Sequence, residues 1–103
     1  MDTKTNTYRM GRIFYEDTDQ CQCFRESPEV VALTKTTITV ALSLRDACEL
    51  WDRAYDYAVA GREDYMESCR YLVSSAERTM SAMAKQGFDY AAARAELAAQ
   101  VQA

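Results

Sequence analysis

Four cysteines carry the first chemistry to consider. Cys21 and Cys23 stand one residue apart in DTDQCQCFRES (17–27), and Cys48 and Cys69 complete the set. Four thiolates can hold a zinc ion tetrahedrally, so a zinc site of Cys21, Cys23, Cys48 and Cys69 is one reading. The spacing argues against it. Structural zinc sites come as two close pairs, often C-x-x-C, whereas here one pair is close and its gap is short. A reactive thiol needs an electropositive or helix N-terminal setting, and this pair follows the acidic EDTD. Residues two apart on a strand share a face, so Cys21 and Cys23 read as thiols on one side of a hairpin strand. Cys48 and Cys69 each fall on the apolar stripe of a helical segment, where free cysteine acts as a small buried hydrophobe.

The second constellation is acidic. Asp46, Glu49, Asp52 and Asp56 are followed by Glu63, Asp64 and Glu67, relieved by Arg53 and Arg62. Asp52 and Asp56 are spaced i, i+4 and Glu49 and Asp52 i, i+3, so on a helix they share a face. One reading is an ordinary solvated face. The other is a patch for a basic protein surface, one that normally holds nucleic acid. Asp17 and Asp19 lack the Gly and bidentate Glu of a calcium loop and read as a turn.

Seven tyrosines are many for this length, and tyrosine suits interfaces because its ring buries area while its hydroxyl tolerates water. Tyr55 and Tyr65 fit core stripes. Tyr57 and Tyr71 fall off them and are the better interface candidates. Trp51 reads as core.

The usual catalytic sets are missing. The chain has no histidine, so Ser–His and Cys–His pairs cannot form. No phosphate-binding glycine loop occurs. We expect no catalytic residue and no cofactor.

The elements that must position these residues follow from a composition that folds. The 103 residues are 49% apolar and 27% charged, enough for a single domain over 1–103. The net charge is −4 and the basic residues are scattered, so no direct nucleic-acid contact is expected. The start, MDTKTNTYRMGR, has no apolar signal region. VVAL (30–33) and YAVA (57–60) are too short to span a membrane. The expectation is a cytoplasmic protein with reduced thiols.

The β-rich part is 7–42. TYRMGRIFYED (7–17) is rich in aromatic and β-branched residues and reaches a polar turn at 16–20, after which CQCFRE returns as a hairpin. SPEVVALT is either a short helix capped by Ser27, with Pro28 at its first position, or a buried strand. KTTITVALSL alternates Ile38, Val40 and Leu42 with Thr37, Thr39 and Ala41, the strand period.

The α-helical part is 44–102. Ser43 can cap a helix carrying Leu44, Ala47, Cys48, Trp51, Tyr55 and Ala58 on one stripe, closed by Gly61. A second stripe holds Tyr65, Cys69, Leu72, Val73, Ala76, Met80 and Met83, with Lys85 near the end and Gly87 as its cap. Asp89 can cap a third, alanine-rich helix in which Leu97 and Val101 are i, i+4. The fold class is therefore α+β: an N-terminal antiparallel sheet of three or four strands, then two or three helices packed on one face.

In size and composition the chain resembles the small accessory proteins of bacteria and their phages or plasmids, anti-CRISPR inhibitors among them. That resemblance implies a non-enzymatic inhibitor. Its site would be Asp46, Glu49, Asp52, Asp56, Tyr57, Glu63, Asp64 and Glu67, docked on a basic partner protein. The alternatives are a zinc-stabilised module, and a homodimer that packs its C-terminal helix on a copy.

Overall fold

The computed structural model describes residues 5–20, 28–60 and 70–102. Three antiparallel strands form one sheet: β1 (Thr5–Gly11), β2 (Glu29–Leu33) and β3 (Thr37–Ser43), in the order β1-β3-β2. Among the described residues four α-helices accompany it: α1 (Arg12–Gln20), α2 (Leu44–Tyr55), α3 (Arg70–Lys85) and α4 (Tyr90–Gln102). α2 continues into a π-helical segment, Asp56–Ala60. The α+β class stands, with helices packed on the sheet.

β3 is central because its alternation supplies one fully apolar side. Ile38, Val40 and Leu42 are buried, while Thr37, Thr39 and Ala41 are half-buried on the other side. β1 pairs along the whole of β3, with Tyr8 opposite Val40 and Met10 opposite Ile38. Together with Phe14, Ala47, Leu50, Ala54, Ala76 and Met83 these side chains make the core.

The first departure from expectation follows Gly11. The run RIFYED, read as strand, turns into α1. Its β propensity yields to tertiary contacts, which routinely override so weak a preference. Phe14 is 0% exposed. The backbone donors at the junction find acceptors far along the chain. Gly11 N–H donates to the Thr79 Oγ1 at 3.0 Å, Arg12 N–H to the Thr36 carbonyl at 3.0 Å, and Phe14 N–H to the Ser75 Oγ at 3.0 Å. A helix start leaves such donors unpaired unless something outside supplies oxygen. The returning hairpin strand at Cys21 and Cys23 lies outside the described residues, as do Ser27, Gly61, Tyr65 and Cys69.

Within the ambiguous stretch Glu29–Leu33 is strand, but an exposed edge strand rather than the buried one expected, because it pairs with β3 on one side only among the described residues. β2 pairs with β3 through a tight turn in which Thr37 N–H donates to Thr34 Oγ1 at 2.9 Å. A bulge at Val31 breaks its register. Val30, Val31 and Leu33 are exposed, and among the described residues nothing pairs with the outer edge of β2.

Three caps read from sequence are present. Ser43 Oγ accepts from Asp46 N–H at 3.2 Å, and Asp89 Oδ1 from Ala92 N–H at 3.1 Å. Gly87 takes φ 97° and ends α3, with Gly87 N–H on the Ala84 carbonyl and Phe88 N–H on the Met83 carbonyl, each at 3.0 Å. That doubled bond pattern satisfies the last free carbonyls of a helix.

A β-carbon at Gly11 would overlap the Ser75 hydroxyl and press on its Cβ and carbonyl oxygen. Gly11→Ala is expected to lower the melting temperature sharply. Thr79→Val keeps the shape but strands the buried Gly11 N–H, at a cost of roughly 1–3 kcal/mol in urea titration.

Candidate functional site

The acidic helix face lies on α2 and its π-helical continuation. Asp46 is in the first turn of α2, where negative charge is favoured, and accepts from the Arg45 guanidinium at 3.2 Å. Glu49 lies 3.8 Å from the Arg94 guanidinium, which also pairs with Asp52. Asp56 is exposed and has no ion pair among the described residues. Glu63, Asp64 and Glu67 lie outside the described residues. Two of the four described acids thus share one arginine, and the net charge of the face is smaller than its sequence suggests.

Arg94 belongs to one of two tyrosine–aspartate–arginine clasps. Tyr90 Oη donates to Asp52 Oδ1 at 2.6 Å and accepts from Arg94 Nε at 2.8 Å. Arg94 Nη2 closes the ring on Asp52 Oδ2. Tyr57 Oη donates to Asp17 Oδ2 at 2.6 Å and accepts from Arg53 Nη2 at 3.2 Å, with Arg53 3.9 Å from Asp17. In each clasp the arginine also lies over the tyrosine ring. One clasp ties α2 to α4 and the other ties the α2 continuation to α1.

The clasps set the local proton affinities. Burial first, and then the hydrogen bond to Asp17, push the Tyr57 phenol from 10.0 up to about 12, against the opposing charge of Arg53. The bond to Asp52 raises Tyr90. The bond to Tyr90, joined by Asp52, raises Arg94. None of these groups is poised to move a proton near neutrality, which a general acid or base requires.

Tyr55 and Tyr57 exchange their expected roles. Tyr55 is 52% exposed, whereas Tyr57 packs edge-on to Phe14 at 5.9 Å. The two lie on opposite margins of the α2 stripe, since each residue advances a helix by about 100°. α1 covers the Tyr57 margin, and that helix was not expected. Tyr71 is 64% exposed, as its position off the stripe suggested. Trp51 is half-buried, 5.5 Å from Phe88 and stacked on Tyr90 at 6.3 Å.

Sequence reasoning missed Asp17, Arg53, Tyr90 and Arg94 as a set. The i, i+4 spacing of Arg53 with Tyr57 and of Tyr90 with Arg94 was a readable signal. Their aspartates, 40 and 38 residues away, were not. It also missed Val59, 54% exposed one turn beyond Tyr55.

Of the four cysteines, Cys48 is described. It is free and fully buried in α2, and burial pushes its thiol up, away from the thiolate that zinc requires. Among the described residues no group of three or more His, Cys, Asp or Glu could hold a metal ion, and no helix is long and apolar enough to cross a membrane.

Comparison of the chain with protein-family models, with curated proteins and with solved structures finds no match.

Tyr57 binds its proton more tightly folded than unfolded. Its contribution to stability is therefore whole below pH 10.0 and is lost as pH rises to about 12. A tyrosinate absorbance titration should lose a phenol from its late phase in Tyr57→Phe, and in Asp17→Asn that phenol should titrate earlier. Arg94→Ala should release α4 alone, at about 1 kcal/mol for so exposed a pair, seen as faster amide exchange in 90–102 with the sheet unchanged.

Proposed function

We propose that this chain is a non-enzymatic cytoplasmic binding protein, an inhibitor of the kind that phages and mobile elements carry. It docks the outer side of α2 and its π-helical continuation on a basic, nucleic-acid-binding surface of a partner protein. The observation that supports this reading is the stretch Tyr55, Asp56 and Val59. It places an exposed aromatic ring and an exposed valine, four residues apart, beside the one described α2-face acid that has no ion pair. Interface hot spots are built this way, with an apolar anchor and an adjacent charge that fixes register. Tyr55 takes the anchor role that sequence had given to Tyr57. Glu49 and Asp52 bear on the contact mainly by holding Arg94.

Reversing Asp52 would open the α4 clasp, so the discriminating variants are Tyr55→Ala and Asp56→Lys, both at exposed positions. The tagged chain should capture one dominant protein from host lysate, and that protein should carry a basic surface. Its affinity should fall at least tenfold in each variant, about 1.4 kcal/mol, with the melting temperature unchanged. Full affinity in a folded double variant removes the reading.

A second reading, a homodimer, is favoured by the open edge of β2. Antiparallel pairing of β2 with its copy about Ala32 would set Glu29 of each chain against Lys35 of the other. Exposed apolar edges invite such pairing. Sedimentation equilibrium should then give a dimer that Val31→Lys converts to monomer; a monomer at high concentration in the parent chain excludes it.

A further inference from the structure

The open side of the sheet carries a different chemistry from the helix face. β1 and β3 turn Thr7, Arg9 and Thr39 away from the core, and α3 runs beside β1 with Arg78, Ser81 and Lys85 on the same flank. Between them is an open groove of about 600 Å³. Gln86 at the end of α3 donates to the Thr7 carbonyl and joins the two walls.

The charge of this groove sets it apart. Among the described residues it is lined by three cations and no carboxylate, in a chain whose net charge is −4. Arg12, Arg45, Arg53 and Arg94 each have a carboxylate partner. Among the described residues Arg9, Arg78 and Lys85 have none, as is true of Lys35 and Arg70 elsewhere, and the groove is where three such cations gather. Gathering like charges without counter-charge costs free energy, and a bound anion returns it. Arg78, Ser81 and Lys85 form one stripe spanning two turns, about 10 Å of helix. Arg9 on β1, with Thr7 on the same strand and Thr39 opposite it on β3, lines the sheet wall.

We infer that this groove binds a small oligophosphate, two or three linked phosphate groups, free or borne by a nucleoside. Arginine forks match phosphate oxygens two at a time, and lysine adds a compact charge. Among the described residues no aromatic ring lines the groove, so it lacks the stacking platform that reads bases, and phosphate is what it recognises. With no carboxylate among its described lining residues, it offers nothing to a divalent cation. A volume of this size suits a small ligand, while the negative charge of the rest of the chain disfavours a long polyanion. The inference is independent of the docking face on α2.

The test is calorimetric titration of the full chain with inorganic tripolyphosphate at low ionic strength. One saturable site is expected. Affinity should fall at least tenfold in Arg78→Ala/Lys85→Ala and stay unchanged in Lys35→Ala/Arg45→Ala, whose cations lie elsewhere. All four positions are on the surface, and melting curves verify folding. Adenosine triphosphate distinguishes the sources: equal affinity assigns the phosphates alone, and tighter binding assigns a nucleoside-borne chain. The absence of saturable binding, an equal loss in the control pair, or tighter binding of a single-stranded oligonucleotide would overturn the proposal.

Discussion

Everything in this fold depends on how the chain leaves β1. A strand that becomes a helix without a break must turn its backbone donors away from the sheet ladder, and those donors then need oxygens. Here the oxygens come from α3 and from the β2–β3 turn. Thr79 Oγ1 is fully used, since it donates to the Ser75 carbonyl at 2.9 Å while accepting from Gly11. The close approach that makes these bonds leaves no room for a side chain at Gly11. α3 is thereby fixed along β1, and the core closes between them. The same placement forms the cationic groove on the other side of the sheet.

The outer helices are held by a different kind of contact. α4 is almost entirely solvated, with Ala93 its one buried apolar residue among those described. It is kept in place by the stack of Trp51 on Tyr90, by Phe88 wedged between Trp51 and Tyr8, and by the Arg94 clasp. Polar clasps of half-exposed residues contribute little each, so α4 should belong to the less stable end of the molecule. The acidic residues that look like a free patch in the sequence are, in good part, the fastenings of these helices.

What the sequence revealed depended on range. The alternation of β3 and the caps at Ser43, Gly87 and Asp89 act within a few residues, and each was legible. α1 was not, because the hydroxyls that receive its first donors are 61 and 68 residues away. The stripe of α2 read alone puts Tyr55 in the core and Tyr57 outside it, and the structure reverses both because α1 decides which margin of α2 is covered. β2 was undecided for a similar reason: EVVAL can be strand or helix, and pairing with β3 selects strand. In the same way, Asp52 was legible as an acid on a helix face but not as a partner of Arg94. The groove cations, on β1 and α3, were scattered in sequence and became neighbours only through the packing of α3 on β1.

The position of Cys48 has a consequence for observing the molecule. Its sulfur is sealed inside α2, yet it lies within the electrostatic reach of Arg94 on α4. When α4 lifts, that side of α2 meets solvent and the thiol becomes available to an alkylating reagent. Followed apart from Cys21, Cys23 and Cys69, the labelling of this one atom is a clock for the opening of the last helix, set by a residue the protein already carries.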